Sequence, residues 1–158
     1  MNKTILVPLG QYDRAEEILP YVEKVVRPGM QVVFLMRYPV GGIKWPTGEP
    51  DTVTASEVRE LIDYYSWEGN LRRAAKGISH ASEVLGCKGV EVSVDVYAGS
   101  LKKALRSHTL NGDVHLIMAR AGIGDWIARL FDGTNSIFKW FKRPSLSPVL
   151  LIHPPILH

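Results

Sequence analysis

Short, unbroken apolar runs separated by helical patterns constrain this chain more than any other feature. Thr4-Ile5-Leu6-Val7, Gln31 to Tyr38 (QVVFLMRY), Val114 to Met118 (VHLIM) and Pro148 to Ile152 (PVLLI) are each strand-sized. An unbroken apolar run fits a strand covered on both faces, which is the situation inside a parallel sheet. The first run is broken by Pro8-Leu9-Gly10-Gln11-Tyr12. Asp13, with Glu16 three residues on, then predicts a helix N-cap with a capping box. Ala15, Ile18, Leu19, Val22 and Val26 follow at helical spacing, and Pro20 within this helix is expected to kink it. Gly29 closes the unit ahead of the second run. Such a strand–helix–strand crossover is right-handed and makes its two strands parallel.

The remaining segments repeat the theme with variations. Residues 39–52 hold Gly41, Gly42, Pro46, Gly48 and Pro50 around Trp45, a loop of the length that is either functional or disordered. Val58, Leu61, Ile62 and Tyr65 mark one helical stripe, and Leu71, Ala74, Ala75, Ile78 and Leu85 mark another. Their phase slips near Gly69, which predicts a bent helix or two in succession. Val90 to Tyr97 (VEVSVDVY) alternates apolar and polar residues, as a strand nearer the sheet edge would. Ser100 is an N-cap candidate for a helix carrying Leu101, Ala104 and Leu105. Ile137 and Phe141 share a face of a last helix. The fold class that follows is α/β, with an open, parallel, doubly wound sheet carrying helices on both faces.

At 158 residues the chain fits one domain, 1–158, and 46% hydrophobic with 22% charged residues is an ordinary globular composition. No run approaches the roughly 18 apolar residues of a membrane helix. The N-terminal apolar run is too short for a signal peptide, and Cys87 stands alone. These features give the expectation of a cytoplasmic protein without a transmembrane segment. Asp125, Asp132, His108, His115 and His153 have no metal-ligand spacing. The net charge of +3 is concentrated late in the chain. There Lys139, Lys142 and Arg143 interleave with Trp126, Phe131, Phe138, Trp140 and Phe141. That third could meet a membrane or nucleic-acid surface, although Ile137 and Phe141 fit core packing better.

Ile5-Leu6-Val7-Pro8-Leu9, followed by Arg14-Ala15-Glu16-Glu17-Ile18-Leu19-Pro20-Tyr21, resembles the opening of the universal stress protein family. That opening commonly reads ILVPLDGS and then AxxALPYA. Val114 to Met118 is similar to the family's fourth strand, and Ser147 to Ile152 to its closing PVLLV strand. The resemblance implies a Rossmann-like, five-stranded parallel sheet and a homodimer through the last strand, here Val149 to Ile152. It also implies a role in stress response, and many members bind ATP above the strand ends, where open α/β sheets place ligands.

The family's ATP binders use an acid after the first strand, a valine near the end of the second, and the loop G-x2-G-x9-G-[ST]. Such a loop lets backbone N–H groups approach phosphate, and the next helix adds its dipole. The matching positions here are Pro8, Leu9 and Gly10 after the first strand, Arg37 at the valine, and Met118, Ala119, Gly122, Gly133, Thr134, Asn135 and Ser136 in the loop. Three anchors depart from the pattern. Gly10 replaces the acid, Ala119 replaces the first glycine, and ten residues separate Gly122 from Gly133. Residues 122–136 therefore read as a degenerate phosphate loop. The expectation is a non-catalytic binding or regulatory module with no required cofactor and an unidentified protein partner. Arg37 could pair with a phosphate or carboxylate or simply close the pocket, and with Arg120 it leaves room for a small anionic ligand in the crevice. The alternatives are an ATP binder with retained or slow hydrolysis, and a membrane- or nucleic-acid-surface binder acting through the basic, aromatic C-terminal third.

Overall fold

The computed structural model describes residues 3–11, 13–45, 52–110, 114–120 and 149–152. Strand β1 (Thr4–Leu9) leads through helix α1 (Ala15–Val25) into β2 (Gln31–Arg37). Three helices follow, α2 (Ala55–Tyr65), α3 (Trp67–Gly77) and α4 (Ser79–Gly86), before β3 (Glu91–Tyr97). Helix α5 (Leu101–Leu110) then leads to β4 (Val114–Arg120), and a four-residue β5 (Val149–Ile152) completes the sheet. The strands lie in the order β3-β2-β1-β4-β5, and every pairing is parallel. The fold class expected from the apolar runs is the one observed, with β3 at an edge as its alternating pattern suggested.

The two faces of the sheet are covered by different helices. Ile5 and Val7 of β1, with Val32 and Phe34 of β2, pack against Ile18 and Val22 of α1 and Ala81 and Leu85 of α4. On the other face Leu6, Val33, Leu35 and Ile117 pack against Leu105 of α5. Ile5, Leu6, Val7, Val32, Phe34 and Leu35 are wholly buried. Continuous apolar strands were thus necessary, because alternate residues face two separate cores.

Local chemistry departs from the expectations in three places. Arg14, not Asp13, is the N-cap of α1, and its side chain makes no capping bond. Asp13 is instead used in the preceding turn, where its carboxylate accepts from the Gly10 N–H at 2.8 Å. Helix α1 runs through Pro20, whose exposed position puts the missing backbone bond on the solvent side. Ser100 caps α5 as expected, accepting from the Lys103 N–H at 3.2 Å.

The third departure concerns the segment after the loop. Its break comes at Ser66, whose hydroxyl accepts from the Gly69 N–H at 2.9 Å and donates to the Asp63 carbonyl at 2.7 Å. A Cβ on the buried Gly69 would collide with that same Asp63 carbonyl, so glycine is needed for the close approach. A second break at Ile78 separates α3 from α4. The stripe of α2 does not face a core. Val58 is 44% and Ile62 66% exposed, and α2 buries no residue fully. Leu71 of α3 is also exposed, whereas Ala74, Ile78 and Leu85 are buried. Among the described residues no helix is long and apolar enough to cross a membrane. The expected last helix and its aromatic, basic surroundings lie outside the described residues.

Candidate functional site

Because the strands are parallel, their carboxyl ends gather on one side of the sheet. There the ends of β1 and β2 open into a cleft of about 520 Å³. Its floor is Leu9, Gly10, Met36 and Arg37. One wall is the start of α1, including Arg14 and Glu16, and the other is Val40, Gly41, Arg73, Lys76 and Gly77. Four basic side chains (Arg14, Arg37, Arg73 and Lys76) meet two acidic ones (Asp13 and Glu16) in the lining. The start of α1 adds the positive end of its dipole.

The turn after β1 is closed reciprocally. Gly10 N–H donates to the Asp13 carboxylate, and Asp13 N–H donates back to the Gly10 carbonyl at 3.1 Å. This places a carboxylate beside Gly10 although the sequence position itself carries none. That carboxylate is engaged a second time, by Arg120 at the end of β4, whose guanidinium lies 3.1 Å from Asp13 Oδ1 and 2.8 Å from Glu17 Oε2. Asp13 lies in the turn ahead of α1 and Glu17 in its first turn, and Arg120 bridges the two. Chain order reverses direction between β1 and β4, which is where open α/β sheets receive ligands. In this chain an ion triad spans that point. Arg120 was expected to attract an anion, but two carboxylates already neutralise it.

The loop after β2 is held by an unusual density of polar bonds. Asn70, wholly buried on α3, accepts from the Val40 N–H at 2.7 Å and donates to the carbonyls of Tyr64 and Ser66. The single Tyr64 Oη proton is shared between the carbonyls of Gly42 at 2.6 Å and Val40 at 3.2 Å, and Tyr65 Oη donates to the Lys44 carbonyl. Arg73 donates to the carbonyls of Val40 and Tyr64 and lies 3.8 Å over the Tyr64 ring. The sequence pattern marked Tyr65 as part of a helical stripe but did not single out Tyr64, Asn70 or Arg73. Two adjacent tyrosines at the end of a helix, followed by Asn and Arg at helical spacing, were the only signal.

The sequence-derived site residues fall into three groups. Leu9, Gly10 and Arg37 line the cleft, and Pro8 lies just behind them, paired with Leu35 in the sheet. Met118 and Ala119 are wholly buried in β4, Met118 with the α1 side and Ala119 with the α5 side. The Ala119 methyl thus packs in the core. Gly122, Gly133, Thr134, Asn135 and Ser136, with the rest of 122–136, lie outside the described residues.

Two solved structures resemble the chain over nearly its full length. One is a universal stress protein family member from Burkholderia pseudomallei, 19% identical, covering 97% of this chain and 96% of that one with a TM-score of 0.46. The other is a hypothetical protein, PH0823, 17% identical, covering 97% of both chains with a TM-score of 0.45. No protein-family profile and no curated protein matches the chain.

Arg37 also has a neighbour at the cleft's outer side. It pairs in register with Tyr97 at the end of β3. Burial raises the Tyr97 phenol above its usual value near 10, and the Arg37 charge lowers it by less. Burial favours the neutral phenol, so the folded state holds this proton more tightly than the unfolded state does. The associated stability is complete below pH 10.0 and lost as pH rises through the higher folded value. Unfolding in urea at increasing pH should therefore show a loss of stability above about pH 10 that Tyr97→Phe reduces. An unchanged alkaline slope in Tyr97→Phe would contradict it.

Proposed function

We propose that the chain is a cytoplasmic universal stress protein homologue, acting in stress response as a non-catalytic, dimeric binding or regulatory module. Its cleft at the ends of β1 and β2 takes a small anion in preference to ATP. The observation that carries this reading is the contrast between two neighbouring positions. At the β1–β4 switch point Arg120 is matched by Asp13 and Glu17, whereas in the β1–β2 cleft basic side chains outnumber acidic ones. A triphosphate entering at the switch point would meet two carboxylates whose cation is already paired, and like charge opposes it. An anion in the adjacent cleft would meet Arg37, for which the described residues supply no ion-pair partner, and Lys76. The described lining combines the carboxylates of Asp13 and Glu16 with four basic side chains, a set suited to holding an anion by charge and hydrogen bonds.

Calorimetric titration separates this reading from an ATP-binding or slowly hydrolysing protein. Inorganic phosphate should bind, and Arg37→Ala should weaken it about tenfold, the order expected for one charged hydrogen bond. Mg-ATP should bind more weakly than about 1 µM. Micromolar Mg-ATP affinity, or phosphate binding indifferent to Arg37, would overturn the reading.

The dimer reading rests on β5. It pairs with β4 on one side and lies at the sheet edge, and Leu150 is 43% exposed. An apolar edge strand leaves backbone donors and acceptors open, and a two-fold mate can satisfy them. In sedimentation the wild type should run as a dimer and Leu150→Pro as a monomer. A wild type that stays monomeric at high concentration refutes this.

A further inference from the structure

The loop after β2 and helix α2 are joined to each other more closely than either is joined to the core. Helix α2 buries no residue fully, and among the described residues its side-chain bonds to other segments come from its last turn: Tyr64 and Tyr65 to the loop, Asp63 to Arg72. Tyr38 Oη adds a bond from the end of the second strand to the Tyr65 carbonyl at 2.6 Å. The loop in turn is a wall of the cleft, through Val40 and Gly41. Gly42, at φ +87°, sits so close to the Gln11 side chain that a Cβ there would collide with it, and Gln11 lines the cleft from the opposite side. The loop therefore crosses the mouth of the cleft as a strap.

Arg73 belongs to both assemblies. It lines the cleft, yet its Nε and Nη2 hold the Val40 and Tyr64 carbonyls and its plane stacks on the Tyr64 ring. An anion in the cleft that engages the remaining edge of this guanidinium would fix its orientation. The same orientation is what the Val40 and Tyr64 bonds require, because the fork of donors is planar and rigid. Binding and strap order then favour one another, and linkage makes the effect reciprocal.

We propose that Arg73 is a positioning residue that couples occupancy of the cleft to the order of the strap and of α2. This rests on the anion reading given above. Occupancy would thereby tighten α2, the helix that carries the exposed Val58 and Ile62. Without the Arg73 fork, an anion could still be attracted by charge but would not reach the strap.

Amide hydrogen exchange with and without saturating inorganic phosphate tests the coupling. In wild type, phosphate should slow exchange several-fold in residues 38–44 and 55–65 while leaving the central strands unchanged. Arg73→Lys keeps the charge but not the fork, so phosphate should still bind and the slowing in 55–65 should disappear. Tyr64→Phe, which keeps the ring and removes the two hydroxyl bonds, should reduce the slowing in 38–44. A wild type that takes no phosphate overturns the cleft reading and this inference with it. A wild type that takes phosphate without protecting 55–65, or an Arg73→Lys protein that protects them equally, overturns this inference alone.

Discussion

Strand β1 must satisfy four neighbours at once, and the rest of the molecule is arranged around that demand. Its edges pair with β2 and β4, and its faces supply both cores. Ile5, Leu6 and Val7 are wholly buried, so no polar side chain could stand there without a partner. Chemistry is displaced to the end of the strand, where Leu9 and Gly10 leave the sheet. Charges gather around that exit: Asp13 in the turn, Glu17 on the following helix, Arg37 and Arg120 at the ends of the neighbouring strands.

Those charges sort into two settings a few residues apart. Arg120 is satisfied by two carboxylates, one of which also closes the turn after β1. The same interaction therefore organises the backbone exit of β1 and occupies the switch point. On the other side of β1, Arg37, Arg73 and Lys76 line an open cleft, and among the described residues Arg73 alone of the three is tied down, by carbonyls and not by carboxylates. Arg73 keeps its full charge while gaining a fixed position. The two settings thus differ in charge balance, Arg120 being matched by carboxylates while basic side chains outnumber acidic ones in the cleft lining.

The sheet was legible because its strands carry continuous apolar runs whose meaning depends little on context. The helix breaks were less so. The collision that forces glycine at position 69 involves the carbonyl of Asp63, and a backbone carbonyl leaves no mark on sequence pattern. Val58 and Ile62 show the spacing of a core-facing stripe, but spacing gives the apolar side of a helix without saying whether anything covers it. Asp13 has a residue type suited to capping and was spent on the Gly10 turn and on Arg120. That last pair is separated by 107 positions, a distance at which periodicity carries no information. Gly10 and Arg37 were legible as positions at the cleft, which they line, since they directly follow or end the strands. Asn70, Tyr64 and Arg73 were not, since their role appears only once the loop folds back on α3.

Freeing Arg120 is the most direct trial of the account. Asp13→Asn together with Glu17→Gln keeps side-chain size and an acceptor for the Gly10 N–H, yet removes both carboxylates from the switch point. Calorimetric titration of this protein with Mg-ATP should give an affinity about tenfold or more above that of wild type, as a released guanidinium becomes available to phosphate. A folded double variant whose Mg-ATP affinity equals or falls below wild type would contradict the claim that the ion triad closes the switch point to nucleotide.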